Sequence, residues 1–380
     1  MKVSCLQENL AGGLSIVSCA VASRTALPVL ANILLSTDGT RLRLSATNLE
    51  VGINCWIGAK IDQEGAITVP ARLLSDFVKS LPSERIDLSL ITRTQTLNVK
   101  CGRYEANIKG IDAQEFPLIP VPNEDRRVAI APDVLREMIK QVAFAAATDE
   151  SRPVLTGILA EVTAQGLTFA AADGFRLSLH SVALPEPPEQ PMSAIIPARA
   201  LQELRRISGD EESLVEMFIA PTRNQVFFHL SDIDLVSQLV EGQFPDLRHT
   251  IPTSRNTRIT LSTASFLQAV RMAYIFARDS ANVVNVVRLQ VVPGDADGVG
   301  RLIITATSPE HGNNVSELDI TVEGQPIEIA FNARYLIDAL TVISTSQVTL
   351  DLRDATSPGV LRPVGGGDFV HVFMPIYMGR

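Results

Sequence analysis

The sequence predicts an α+β chain of three similar domains, each made of two βαβββ units with antiparallel sheets. Three observations predict it. A short phrase recurs as TVPARLL at 68–74, IIPARAL at 195–201 and AFNARYL at 330–336, its starts 127 and then 135 residues apart. Two further landmarks keep the same order around it. One is a strand ending in a small polar triplet: LRLSATN at 42–48, LTFAAAD at 167–173 and LIITATS at 302–308. The other is a closing strand with a proline turn: ANIKGIDAQEFPLIP at 106–120, SQLVEGQFPDLRHTIP at 237–252 and the plainer FVHVFMPIYM at 369–378. Finally, the runs between landmarks alternate apolar and polar residues with the period of a half-buried strand. The domains are then 1–121, 122–252 and 253–380.

The first repeat shows the elements in order. KVSCLQ reads as a strand, and Leu10, Leu14, Val17 and Val21 then fall at helical intervals. NILLST, RLRLSAT and GINCWIG alternate as strands. AITVP is a strand whose Pro70 suits a helix start, ARLLSDFVKSL is a helix of two to three turns, and RIDLSLI, TLNVKCG and YEANIKG alternate again. TDGT, IDQEG and PGDADG read as turns between strands. Over the whole chain six helices are expected, near 7–22, 71–81, 131–148, 198–208, 262–281 and 332–344. LPEPPEQP at 184–191 reads as an exposed loop inside the second domain.

Composition bounds the class. At 380 residues the chain exceeds one ordinary core. With 46% hydrophobic and 20% charged residues it is globular rather than disordered. No run of eighteen apolar residues marks a membrane span, and MKVSCLQENLAGG lacks the apolar core of a secretion signal, so a cytoplasmic protein is expected. Cys5, Cys19, Cys55 and Cys101 match no zinc or redox spacing and read as buried reduced thiols.

Similar domains joined in one direction make head-to-tail contacts, which close into a ring or run on as a filament. A domain of this size has a radius of gyration of about 14 Å, equivalent to a sphere about 36 Å across. Three such spheres in a ring leave a hole of about 5 Å, whereas six leave one of about 35 Å. The two groove depths of duplex DNA alone sum to about 16 Å. If the repeat exists to surround DNA, the chain must pair with a second copy. Net charge is −9, yet the expected helices carry ten basic residues against seven acids. That pattern suits a mildly positive helical lining inside an acidic outer sheet, one that attracts phosphates without reading bases. Charge counts alone equally fit ordinary solvated helix faces.

MKVSCLQENL, RTALPVLANILL, SATNLEV, VPARLLSDFVKSLP, AADGFRLSLH, IPARALQEL, LVEGQFPDLRHTIP, FNARYLIDAL and HVFMPIYMGR together resemble the bacterial DNA sliding clamp family, the β subunits of replicative DNA polymerase III, from end to end. The resemblance implies a head-to-tail homodimeric ring of six domains around duplex DNA, with helices lining the hole and sheets outside. It implies a processivity factor that tethers the replicative polymerase and is loaded by an ATP-driven clamp loader, with no cofactor, no metal and no catalytic residue of its own. It also implies one pocket per chain for short, apolar, Gln-led motifs of polymerases, the loader and repair and translesion proteins. By motif, that pocket draws on Leu155, Gly174, Phe175, Arg176, Leu177, Pro245, His249, Thr250, Asn332, Tyr335, Val372, Met374, Pro375 and Ile376. Leu, Pro, Met and Ile walls would take apolar anchors, and Arg176 would hold its wall by hydrogen bonds. DNA contacts carry over to Arg24, Arg72, Arg152 and Arg199. The chain departs from the pattern at Phe175, where many relatives have His, at Pro153, where some have an aromatic, and in a tail that runs past MPI through Tyr377 to Arg380.

Rival classes lack their signals. The five histidines have no HExxH spacing, and GGG at 365–367 reads as a hairpin turn because no Lys-Ser or Lys-Thr follows. Asp173, Arg176 and His180 could form an acid–base cluster, but strand alternation would put 173 and 176 on opposite faces. A hydrolase at a domain junction would need a carboxylate pair or metal cluster. A triplicated structural or adhesive scaffold would be expected to carry a secretion signal and paired cysteines.

Overall fold

The computed structural model describes all residues except 23–24, 122–126, 187, 189, 210, 221–223, 279–284, 295–298 and 378–380. The first repeat runs β1 (Lys2–Leu6), α1 (Gln7–Val17), β2 (Asn32–Asp38), β3 (Arg41–Thr47), β4 (Val51–Gly58), β5 (Lys60–Gln63), β6 (Ala66–Pro70), α2 (Ala71–Ser80), β7 (Arg85–Ile91), β8 (Thr96–Cys101) and β9 (Tyr104–Lys109). The second runs β10 (Val128–Ile130), α3 (Pro132–Val142), β11 (Gly157–Thr163), β12 (Gly166–Ala172), β13 (Arg176–Val182), β14 (Met192–Pro197), α4 (Ala198–Ile207), β15 (Val215–Ala220), β16 (Gln225–His229) and β17 (Ile233–Gln238). The third runs β18 (Thr257–Ser262), α5 (Thr263–Ala277), β19 (Val286–Val292), β20 (Val299–Ser308), β21 (Gly312–Gly324), β22 (Ile327–Asn332), α6 (Ala333–Val342), β23 (Gln347–Leu352), β24 (Gly359–Pro363) and β25 (Asp368–Phe373).

Each half-repeat is the expected βαβββ unit. One strand was misread: IDQEG, expected to be a turn, supplies β5, which pairs antiparallel with β1. Two helices end early. α1 stops at Val17 and α3 at Val142, each followed by one tight 3-10 turn, at 18–20 and 143–145. After the second of these the backbone leaves the helix to bond elsewhere, with the Ala147 N–H donating to the Leu155 carbonyl at 2.8 Å.

The recurring phrase has a physical reason. In each copy a strand ends at Pro70, Pro197 or Asn332 and the helix begins with a buried alanine: Ala71, Ala198 or Ala333. The next residue, Arg72, Arg199 or Arg334, is exposed, and the leucine two further on, Leu74, Leu201 or Leu336, is fully buried. Asn332 caps its helix directly, its Oδ1 accepting from the Arg334 N–H at 2.9 Å. Helix α1 lies close on its sheet, since a Cβ on Gly13 would stand 2.5 Å from Leu44 Cδ1.

The chain divides into two compact units, one of 1–135 with 199–239 and one of 136–198 with 240–380. The first holds a five-stranded sheet, β5-β1-β7-β8-β9, and an eight-stranded sheet, β10-β15-β16-β17-β4-β3-β2-β6. The second holds a twelve-stranded sheet, β14-β11-β12-β13-β25-β24-β23-β18-β21-β20-β19-β22. Both long sheets join different repeats: β4 pairs with β17, and β13 with β25. On the twelve-stranded sheet, Ile259, Leu350, Leu361 and Phe373 face α5 and α6 in one apolar core. The opposite face carries a smaller cluster of Ala170, Ala172, Leu177, Val360 and Val372. Among the described residues no helix is long and apolar enough to cross a membrane, and the four cysteines are free thiols.

Candidate functional site

The site starts from a turn. Between β12 and β13, Asp173 Oδ1 accepts the N–H groups of Phe175 (2.9 Å) and Arg176 (3.0 Å), and Gly174 takes a φ of +95°. The first repeat makes the same turn with Asn48, whose Oδ1 accepts from Glu50 and Val51. The second repeat thus places Arg176 where the first has Val51. A Cβ on Gly174 would stand 2.8 Å from Nη1 at the tip of the Arg152 side chain, and the left-handed backbone there favours glycine, although Leu49 takes a φ of +76° at the matching place in the first repeat.

Arg176 is nearly buried, its side chain 11% exposed. Nε donates to Asp173 Oδ2 at 2.9 Å, Nη1 to Asp338 Oδ2 at 2.7 Å and Nη2 to the Phe144 carbonyl at 2.8 Å. Its guanidinium carbon lies 4.6 Å from the Tyr335 ring centre and 5.4 Å from that of Phe144. One cation therefore ties β13 to α6 and to the 3-10 turn after α3. The expectation that 173 and 176 face opposite sides is overturned: Asp173 lies in the turn, where strand alternation does not apply. Behind the sheet, His371 is fully buried, its Nδ1 2.7 Å from Ser178 Oγ. Burial first, and the Arg176 charge second, push its pKa down to about 3, so it is neutral near pH 7.

On the sheet face turned away from α5 and α6 the cross-strand partners Ala172–Leu177, Leu177–Val372 and Val372–Val360 form one apolar row. Above it a cavity of about 70 Å³ is lined by Ala172, Leu177 and Val372, by Leu247 and Thr250 of the following loop, and by Phe175 and Met374. Phe175 (58%) and Met374 (44%) are exposed apolar side chains at its mouth. The Met374 N–H donates to the Phe175 carbonyl at 2.8 Å, which fixes the two strand ends against each other.

Seven of the fourteen expected pocket residues line this cavity: Gly174, Phe175, Arg176, Leu177, Thr250, Val372 and Met374. Leu155 is buried in the 3-10 turn at 153–156. Tyr335 stacks on Arg176, and Asn332 serves as the cap of α6. Pro245 is exposed, and exposed His249 pairs with Asp246 at 3.1 Å. Pro375 and Ile376 are half-buried, with the Ile376 N–H donating to the Ala330 carbonyl. Tyr377 is 80% exposed, and the tail beyond it lies outside the described residues. Sequence reasoning missed Ala172 and Leu247, and it missed Asp338 and Phe144 as anchors of Arg176. Strand register, which makes Ala172 the partner of Leu177, could have found the first.

Of the four arginines expected at DNA, Arg24 lies outside the described residues. Arg72 projects from the first turn of α2, its side chain 96% exposed and 3.7 Å from Asp76. Arg199 is exposed in the first turn of α4. Arg152 is also exposed, yet its Nη2 donates to the Asp173 carbonyl at 3.0 Å, which puts it against the pocket turn. Among the described residues no three His, Cys, Asp or Glu side chains gather as a metal would require. Burial pushes the Cys5 and Cys55 thiols up to about 12, which leaves them protonated and unreactive.

Six βαβββ units, two in each of three repeats, define a three-domain clamp fold. The N-terminal, central and C-terminal domain profiles of the DNA polymerase III beta subunit match residues 1–120, 129–246 and 248–377. A beta sliding clamp of Synechococcus elongatus is 34% identical, and one of Bacillus subtilis 31%, with 99–100% of both chains covered in each case. The crystal structure of the Bacillus subtilis DNA polymerase sliding clamp superposes with a TM-score of 0.93 at 29% identity, and that of a Pseudomonas aeruginosa sliding clamp bound to griselimycin with 0.92 at 30%. Both comparisons cover 100% of each chain. The chain belongs to the DNA polymerase III beta subunit family.

Proposed function

We propose that the chain is a DNA polymerase processivity factor, a ring of two copies that surrounds duplex DNA, slides on it and carries partners on the outer-face pocket. The carrying observation is a rule of strand pairing. The last strand of a repeat's first half pairs with the last strand of the next repeat: β4 with β17, then β13 with β25. The first junction also joins helices, Arg206 of α4 donating to the Ser15 and Ile16 carbonyls of α1, and the second joins α6 to β13 and to the turn after α3, through Arg176 bound to Asp338 and to the Phe144 carbonyl.

The same rule leaves one junction to make. Among the described residues β21 has no partner on its outer edge over 312–320, and β9 pairs only with β8. A second copy supplies the match, its β9 against this β21 and its α2 against this α5. The chemistry suits it: Met272 and Ile275 on α5, Val315 on β21 and Leu73 on α2 are exposed apolar side chains. In that pairing Glu317 and Asp319 on β21 would face the opposite charge of Arg103 and Lys109 beside and on the second copy's β9. Two such junctions close six domains and cover the free edges of β9 and β21.

Within their observed bounds the helices keep nine basic residues against six acids, which supports a lining that attracts phosphate without gripping it. Partners with short apolar Gln-led motifs, a replicative polymerase, a clamp loader and repair and translesion polymerases among them, would dock Leu and Phe anchors on Leu177, Val372 and Met374. The protein would be cytoplasmic and catalyse nothing itself. Sedimentation equilibrium tests the pairing: it should give twice the 41.1 kDa chain mass, and a single-chain mass at micromolar concentration would overturn the ring.

A further inference from the structure

The apolar row of the pocket does not end at Val360. Val360 is the cross-strand partner of Asp351, and Asp351 of Arg258. All three therefore stand on the same outer face as Leu177 and Val372. There a second cavity, of about 160 Å³, is lined by Arg255, Arg258, Asp351 and Arg362, with Thr253 and Ser254 on its wall. The Asp351 side chain is only 10% exposed and holds the arginines in place. Arg258 Nε and Nη2 bind its two oxygens at 2.6 and 2.8 Å, Arg362 Nη1 binds Oδ2 at 2.9 Å, and Arg255 Nε lies 3.8 Å away. Arg255 also lies 3.6 Å from Glu323. Arg353 also lines the cavity and pairs with Asp354 at 3.0 Å, so four guanidinium groups stand against the three carboxylates of Asp351, Glu323 and Asp354, which leaves one positive charge in excess at a fixed place.

We propose that this arginine cavity is a second subsite of the partner-peptide pocket and takes a carboxylate side chain of the partner, an Asp or Glu flanking the apolar motif. The proposal rests on the pocket reading above. The spacing fits: Asp351 and Arg258 lie three and four strands from Leu177, about 14 and 19 Å. An extended peptide crosses that distance in about four to six residues. Val360 lines the arginine cavity and packs in the apolar cluster, and the segment 247–255 walls both cavities, so one bound segment touches both without leaving protein surface. The guanidinium fork is suited to a carboxylate held bidentately. A duplex is the less suited ligand, because the cavity lies on the sheet face turned away from α5 and α6.

The test uses three labelled peptides with the Gln-led apolar motif: one with Glu about five residues before it, one with Glu about five residues after it, and one with Gln at both places. Fluorescence anisotropy is read on the full chain and on Arg255→Gln and Arg255→Gln/Arg362→Gln. At low salt one Glu peptide should bind about fivefold tighter than the Gln peptide, and the advantage should shrink as salt screens it. The double variant should erase that preference and bind the Gln peptide as the wild type does. If the single variant alone is folded, by its urea melt, a preference reduced at least twofold in it supports the proposal. Equal affinity for all three peptides overturns it, as does a preference that survives in the variants. A variant that loses duplex retention while keeping the peptide preference assigns the arginines to nucleic acid instead. No binding of the Gln peptide at all would sink the pocket reading itself, and so is told apart from failure of the subsite.

Discussion

Removing Arg176 tests the physical account of the pocket most severely. In Arg176→Ala three hydrogen bonds and two ring contacts disappear together, and Asp173 and Asp338 lose their cation. Breaking a buried ion pair from one side costs about 3–5 kcal/mol because the remaining charge stays desolvated. Asp338 is 30% exposed and recovers water, so the lower end, about 3 kcal/mol, is expected. Arg176→Lys keeps the charge but cannot direct three nitrogens to three separate acceptors, and should recover less than half of the loss. Urea unfolding of the wild type and both variants gives the stabilities, and anisotropy with a Gln-motif peptide gives the affinity, which should fall at least tenfold in Arg176→Ala. If Arg176→Ala unfolds within about 1 kcal/mol of wild type, or if lysine restores it fully, the guanidinium is not the tie described here.

Met374→Ala should lower affinity for the same peptide about fivefold while changing urea stability by less than about 0.5 kcal/mol, because Met374 is 44% exposed; unchanged peptide affinity would move the pocket elsewhere. His371 is held at a pKa of about 3 when folded and returns to its ordinary 6.5 when unfolded. The unfolded state therefore binds the extra proton, and stability falls as pH drops below 6.5 toward 3. Between pH 7 and pH 5 the wild type should lose about 2 kcal/mol more than His371→Gln, a gap that urea melts at the two values would expose or deny. Ile275→Asp, placing a carboxylate in the proposed seam between copies, should sediment as a single 41.1 kDa chain where the wild type is paired. Arg72→Glu with Arg199→Glu should slow clamp loading and flatten its salt dependence by about one unit of slope per lost phosphate contact. Sedimentation of that pair as a single chain would contradict the separation of lining from seam.

The repeats were legible because strand period, the proline or asparagine before the second helix of each repeat and the buried Ala and Leu after it are local demands repeated along the chain. β5 was missed because IDQEG carries turn residues and its strand character comes from pairing with β1, sixty residues earlier and invisible to a local pattern. The turn at 173–176 shows the same limit. ADGFRL announces a turn, but not that Arg176 reaches Asp338 and Phe144, contacts set by how β13, α6 and the end of α3 come together. The placement of Arg152 against that turn, rather than out along a helix, is likewise a product of packing. Half of the pocket residues carried over by motif line the cavity and Tyr335 supports it through Arg176, because motif likeness preserves neighbourhoods better than it distinguishes wall from support.

The central claim is that the protein holds DNA by surrounding it. The direct measurement loads the protein onto a nicked circular duplex, isolates the complex and cuts the circle once. A surrounding ring should stay on the closed circle through a salt wash and leave when the circle is linearised; protein that stays on the cut molecule, or washes off the intact circle, would contradict the account.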